Sequence, residues 1–267
     1  MFIPALLLLL SSENTCTSHL CIRKTELQQI ANPAPSKKQC RVVSNERTLS
    51  FDGREIAPIL TNPKDGMQDL PDSVWSGFVI PKIVEAAKSC LSRNHDGVSF
   101  VYSSPEAFPY AYAKPILRSL GDAGARSVHI PSGIDRFVVA EIILDKTDEY
   151  VVHSADSAGT NSVLLIYRDS LQLYVHSKAN DETLPTASIA TKHRDRFSDA
   201  ELRQLEAALV QALSKRNYLN WIGIDPHPST PIRKIVQLLS LVQGINDRKS
   251  LPKGLNASLY GAYVPWE

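Results

Sequence analysis

The densest run of chemistry-bearing side chains is Asp225-Pro226-His227-Pro228-Ser229-Thr230, which sets a carboxylate two residues from an imidazole with two hydroxyls just beyond. Ahead of a helix, such a pair can bind an anion, because unpaired N–H groups and the helix dipole favour negative charge there. The commoner use of the same residues is a cap, with Asp225 and Ser229 or Thr230 holding the first N–H groups of the following helix. Asp148-Glu149 with His153 and Asp156 forms a second polar cluster, which reads as a solvated connection. His95, His129, His176 and His193 are isolated and read as surface or strand positions rather than ligands. The chain has no Gly-x-Ser-x-Gly, no Gly-x-x-x-x-Gly-Lys and no His-Glu-x-x-His. No catalytic residue, metal-ligand set or cofactor is therefore assigned, and the binding residues stay unknown. Trp75, Trp221 and Trp266 are expected to pack the core or the tail.

The cysteines argue in the same direction. Cys16, Cys21, Cys40 and Cys90 contain no Cys-x-x-Cys and no His at zinc-ligand spacing. Cys90 falls on an apolar helical face and reads as a buried small thiol, whereas a tail disulfide of Cys16 with Cys21 or Cys40 needs an oxidising compartment.

The elements that must position these residues come in two matching sets. An offset of 122 positions, the separation of Pro109 from Pro231, lays Ile80, Ile83, Ala87, Leu91, Phe100, Tyr102, Ile116, Leu117 and Leu120 onto Leu202, Leu205, Leu209, Leu213, Ile222, Ile224, Leu238, Leu239 and Val242 without a gap. Hydrophobic spacing persists while polar residues diverge, as expected of a retained scaffold rather than two retained active sites. In the first set, Leu49-Ser50-Phe51 and Arg54-Glu55-Ile56 flank Asp52-Gly53, a pair suited to the positive φ values of a tight hairpin. A helix over 81–92 begins at Pro81, where a missing N–H is harmless. In the second set Ser198 and Glu201 form a capping box ahead of a stripe of Leu202, Leu205, Ala208, Leu209, Ala212 and Leu213, with Glu206, Gln211 and Lys215 on the wet side. Short strands follow at Val98–Tyr102 and Trp221–Ile224. Each leads to a second helix, starting near Pro109 and Pro231 and ending close to Gly124 and Gly244. Pro115 lies inside the first of these and costs about 3 kcal/mol in a helix interior unless the helix starts late or kinks. Further strands are expected at 137–144, 150–153, 163–167, 171–175 and 257–264. The fold class is thus α+β: two tandem small sandwiches, each hairpin-helix-strand-helix-strand, with helices on one face of each of two sheets.

The ends and the composition set the context. Ile3 to Leu10 is an apolar run too short to span a bilayer, and it suits the apolar region of a signal peptide although no basic residue precedes it. Residues 1–15 are read as that signal, 16–47 as a flexible linker around Asn32-Pro33-Ala34-Pro35, 48–135 as the first repeat and 136–267 as the second. A net charge of +1 with 21% charged residues gives no electrostatic attraction to nucleic acid.

Phe100-Val-Tyr-Ser-Ser, Phe108-Pro109-Tyr110, Ile116-Leu117, Leu120, Ala123-Gly124 and Val128-His-Ile130 together resemble the periplasmic domain of the ExbD/TolR family, whose order is strand, Asp, Pro-Tyr, helix, Ala-Gly, strand. In the second repeat Asp225 and Pro231 fit that order, while Ile232 replaces the tyrosine. Members of the family are proton-driven motor subunits carrying an acidic residue in a transmembrane helix, and no such helix is read here. The resemblance implies a relative that keeps only the self-associating periplasmic module, its two copies pairing as an intramolecular pseudo-dimer. Expected partners are a protein or cell-envelope component, bound by β-strand addition at an open sheet edge, in a periplasmic or other extracytoplasmic location. The competing expectation is a secreted hydrolase of unknown chemistry.

Overall fold

The structure, a computed structural model, describes residues 38–61, 68–94, 98–143, 161–166, 169–176, 187–215, 221–246 and 256–260. The expected signal peptide, the strand at 150–153, the cluster from Asp148 to Asp156, His95 and Trp266 lie outside them. All described residues belong to one compact unit.

The fold is mixed α+β. Its strands are β1 (Gln39–Ser44), β2 (Thr48–Phe51), β3 (Arg54–Pro58), β4 (Leu60–Thr61), β5 (Gln68–Asp69), β6 (Ser99–Ser103), β7 (Ser127–Gly133), β8 (Arg136–Ile143), β9 (Asn161–Ile166), β10 (Ser170–His176), β11 (Ala187–Ala190), β12 (Trp221–Pro226) and β13 (Asn256–Tyr260). Its helices are α1 (Pro81–Arg93), α2 (Tyr110–Asp122), α3 (Asp199–Lys215) and α4 (Ile232–Asn246). One 11-stranded sheet runs in the order β11-β10-β9-β12-β13-β8-β7-β6-β1-β2-β3, and β4-β5 form a separate ribbon.

That order corrects the expectation of two sheets. Strand β8 pairs antiparallel with β7 and parallel with β13, so it joins what were expected to be separate layers. Strands β7 and β8 pair across the expected boundary at 135/136, with Gly133 opposite Arg136. On either side of β8 the order is the same: β7-β6-β1-β2-β3 and β13-β12-β9-β10-β11.

The 122-position offset holds at the level of individual residue pairs. Val42 faces Tyr102 and Phe51, while Leu164 faces Ile224 and Leu173, each residue being its counterpart shifted by the same interval. Strand β1 is also a correction, since Gln39–Ser44 falls within the residues read as linker. Its alternation buries Cys40, Val42 and Ser44, and three alternating positions were too short a signal to stand out beside the Pro-rich run before them.

Local expectations fare well where the chemistry is local. Asp52 (φ 47°) and Gly53 (φ 78°) make the tight β2–β3 turn. The Ser198 and Glu201 capping box forms reciprocally, with Ser198 N–H on the Glu201 carboxylate at 2.6 Å and Glu201 N–H on the Ser198 hydroxyl at 3.3 Å. The second carboxylate oxygen accepts Lys192 N–H at 2.7 Å and so ties α3 to the chain leaving β11. Burial raises the pKa of Glu201, but these bonds to its charged form outweigh it and leave the carboxyl below its ordinary value. Gly124 (φ 104°) follows α2 as expected, whereas α4 runs through Gly244 to Asn246. Pro115 stays inside α2, where only one early-turn bond is forfeited. A turn later the buried Ser119 hydroxyl donates to Pro115 C=O at 2.7 Å and accepts Ile80 N–H at 2.8 Å, fastening the start of α1 to α2.

Cys90 is not a free thiol. It forms a disulfide with Cys40, their Cα atoms 6.5 Å apart, and both are buried, so the bridge ties β1 to α1. The Asp52 carboxylate lies beside the two sulfurs. Residues 162 and 212, at the same positions of the other half, are Ser and Ala, so this bridge has no counterpart there.

On α3, Leu205 and Leu209 are buried, Leu202 and Ala208 are half-buried, and Gln211 is exposed. Glu206, expected on the wet side, is half-buried. Truncating Leu209 to alanine should destabilise the chain by about 2 to 5 kcal/mol, because the cavity cost adds to the lost transfer energy. Gln211→Ala should stay within about 0.5 kcal/mol. Denaturant midpoints of the two variants check the helical phase, and equal shifts would contradict it.

Candidate functional site

The expected polar run sits where the two halves meet. Helix α2 has no side-chain cap at its N-terminus, and the N–H groups that a cap would serve are bonded across the junction. Tyr110 N–H donates to Thr230 C=O at 2.8 Å, and Ile232 N–H donates to Phe108 C=O at 2.9 Å. Ala111 N–H donates to Pro228 C=O at 2.8 Å, and Arg233 N–H to Glu106 C=O at 2.9 Å. Each bond has its partner at the 122-position offset with donor and acceptor halves exchanged. Pro109 and Pro231 face each other between them as an antiparallel bridge. Each of these contacts thus recurs with the two halves exchanged, which is the signature of a two-fold contact. An exposed pair of Arg233 and Glu106, 3.4 Å apart, decorates this junction.

This arrangement replaces the side-chain cap expected from Asp225, Ser229 and Thr230. The Ser229 hydroxyl is 2.8 Å from His227 Nδ1, and Ser229 N–H donates to the same nitrogen at 3.2 Å, so these two residues close a small turn. Thr230 is buried and gives its carbonyl to Tyr110. Asp225 is buried at the end of β12, where it interacts electrostatically with Tyr110. Burial first, and then the Asp225 charge, push the Tyr110 hydroxyl well above its ordinary pKa, so it stays protonated. The sequence placed Asp225 and His227 together, but it had no signal for Tyr110, which comes from the other half.

A second polar group was missed altogether. The hydroxyls of Ser44, Tyr102, Ser104 and Tyr112 gather around the ends of β1 and β6 and the first turn of α2. Each is buried without a well-formed hydrogen bond to a described residue. Burial pushes the Tyr102 hydroxyl up to about 12, with Ser104 and Ser44 beside it pulling the other way. Tyr112 is likewise raised by burial. Such a chain of neutral hydroxyls suits buried water, which characteristically bridges otherwise unsatisfied groups. Nothing in their sequence spacing marks them, because they arrive from separate elements.

A groove of about 560 Å³ lies between the β2–β3 hairpin and α1, flanked by Asp52, Arg54 and Glu55 on one side and Lys82, Glu85 and Arg93 on the other. It runs along β3, an outer strand of the sheet. The other outer strand, β11, is treated differently: α3 packs directly on it and is held by the Glu201 bond to Lys192.

Of the isolated histidines, His193 is exposed and His129 is buried on β7 with Nδ1 unpartnered among the described residues and its ring edge-on to Phe137 at 6.4 Å. Trp75 is half-buried, its indole N–H on Leu70 C=O at 3.4 Å. The side chains of His176 and Trp221 lie outside the described ones.

No protein-family model matches the chain, and no curated protein does. Among solved structures, an exopolyphosphatase-like protein aligns over 83% of this chain and 93% of its own at 9% identity, with a TM-score of 0.23. A Bacteroides thetaiotaomicron protein of actin-like ATPase fold and unknown function aligns over 83% and 90% at 10% identity, with a TM-score of 0.25. The Aquifex aeolicus PPX-GPPA enzyme aligns over 70% and 67% at 11% identity, with a TM-score of 0.17. Similarities at that level leave fold and function to the geometry of this chain.

His129 supplies a pH prediction. Desolvation depresses its pKa, against a smaller opposing bond with the Phe100 backbone. The unfolded chain therefore takes up a proton near the ordinary value of about 6.5, before the folded chain does. Stability should fall as pH drops from about 6.5 through the lower folded value. His129→Gln should flatten that fall, as read by denaturant midpoints between about pH 7 and pH 5; an unchanged slope would count against it.

Proposed function

We propose that the chain is a non-catalytic binding module of the cell envelope, a tandem pair of ExbD/TolR-like halves sharing one sheet, without proton-relay capacity. The observation that carries this reading is the contrast between the two outer strands. An open edge presents unpaired backbone groups, which a partner peptide can complete as an added strand. At β11 the adjoining helix closes in, while at β3 helix α1 stands back and leaves the groove. The lining of α1 from Lys82 to Arg93 extends about 16 Å at helical rise. That matches about five residues of extended chain. The occupant is therefore an extended peptide of an envelope protein, alternate side chains turning inward toward Ile56 and Ala86.

One further feature supports the setting. The Cys40–Cys90 disulfide fits an oxidising, extracytoplasmic compartment, in keeping with the apolar run near the N-terminus. Among the described residues no helix is long and apolar enough to cross a membrane. The halves pair as an internal pseudo-dimer, since the reciprocal bonds at Pro109 and Pro231 leave each second helix capped by the other half.

Light scattering on the purified chain should give a monomer at all concentrations, because the second half already occupies the dimerising surface at high effective concentration. A concentration-independent dimer would overturn the intramolecular pairing. For the binding reading, a photo-crosslinking residue at exposed Glu55 on β3 should yield a discrete adduct in the native envelope, and one at exposed Ser188 on β11 should not. Equal labelling from both edges, or none from either, would reject strand addition at β3.

A further inference from the structure

Lys114 and Arg118 stand four residues apart on α2, which places them on one helical face with Cβ atoms about 5–6 Å apart. Both are half-buried. Two like charges so placed repel each other and are poorly hydrated, and Lys114 feels it: desolvation depresses its pKa and Arg118 presses it down further, while Asp225 pulls it back up. The guanidinium of Arg118 lies over the Phe78 ring, 4.9 Å from its centre. Stacking uses its face and leaves the planar fork of N–H donors for an acceptor. Its Nε is buried and has no acceptor among the described residues. Lys114 makes no hydrogen bond or ion pair with a described residue.

The scaffold does not require these charges. The positions 122 residues along α4 are Val236 and Ser240, which serve the same helix in the other half. Asp225 offsets Lys114, whereas Arg118 forms no ion pair with a described residue, so one positive charge is left uncompensated. A monoanion closes that balance, whereas a dianion would overshoot it beside a buried carboxylate.

We propose that Lys114 and Arg118 form a binding site for a carboxylate, borne by a peptide terminus or by a small free acid, with Arg118 donating to its oxygens and Lys114 supplying the second charge. The site lies on α2 at the junction and does not depend on strand addition at β3.

The test follows the Arg118 Nε–H signal by nitrogen-15 NMR in the full chain, assigned by its loss in Arg118→Lys. Sodium acetate, N-acetyl-alanine and inorganic phosphate are titrated at an ionic strength held constant with sodium chloride. Saturable shifts with acetate and N-acetyl-alanine are expected. Tighter binding of N-acetyl-alanine assigns the site to a chain terminus, and equal binding assigns it to a free acid. Lys114→Gln and Arg118→Lys should each weaken binding about tenfold or more, the worth of one charge-assisted hydrogen bond, while keeping the far-ultraviolet spectrum of the parent. For Arg118→Lys, binding is read from the backbone amides of α2. Shifts that grow without saturating, preference for phosphate, or undiminished binding by both folded variants would overturn the proposal.

Discussion

The structure depends on a reciprocal backbone exchange around Pro109 and Pro231. A helix N-terminus exposes N–H groups that must be satisfied, and most helices use a Ser, Thr, Asp or Asn side chain to do so. Neither α2 nor α4 is preceded by such a cap in the productive position. Pro109 holds extended backbone ahead of α2, and carbonyls of the facing loop accept the first two N–H groups on each side. The bond from Tyr110 to Thr230 makes the first turn of one half's helix depend on the loop of the other. The contact therefore couples the halves through main-chain atoms, which side-chain divergence cannot erode.

This explains how two matching scaffolds can carry different chemistry. Backbone register is fixed by the ladders, where Val42 against Tyr102 corresponds to Leu164 against Ile224. Side chains are free to differ wherever packing permits. Tyr102 and Ser104 correspond to Ile224 and Pro226, and Tyr112 to Lys234, a buried lysine whose ammonium sits 4.8 Å from the centre of the Phe197 ring. Cys40 and Cys90 correspond to residues without a thiol. The first half thus concentrates buried hydroxyls, a disulfide and the open groove, and the second packs a capped helix against its outer strand.

The legible part of the sequence was what local spacing controls. Leu205 and Leu209 on α3, the Asp52-Gly53 turn and the Ser198–Glu201 box each rest on residues within a few positions of one another, so one-dimensional periodicity captures them. The match of Pro109 to Pro231 was also legible, because the offset carries a whole helix-strand-helix unit without a gap. What failed required knowledge of distant neighbours. β1 is recognisable as a strand only once β2 and β6 flank it, and Cys90 looks like core packing until β1 brings Cys40 beneath it. The start of α4 was assigned to a side-chain cap for the same reason, although its first N–H groups bond to Phe108 and Glu106 carbonyls. The atoms that replace that cap are carbonyls about 120 residues away, and a carbonyl has no letter in the sequence.

Joining two halves through β8 also settles where open edges can remain. A sheet of this kind has only two outer strands, and each exposes backbone groups that invite further pairing. In a pair of separate chains the two edges would be identical, so any device protecting one would protect both, and any site opened on one would be opened on both. Within a single chain the edges are independent. Glu201 can hold α3 down beside β11 through its bonds to Ser198 and Lys192, while the counterpart of α3 stands off β3 and leaves its groove open. Asymmetry of that kind is unavailable to an identical pair, whose two edges must carry the same neighbours.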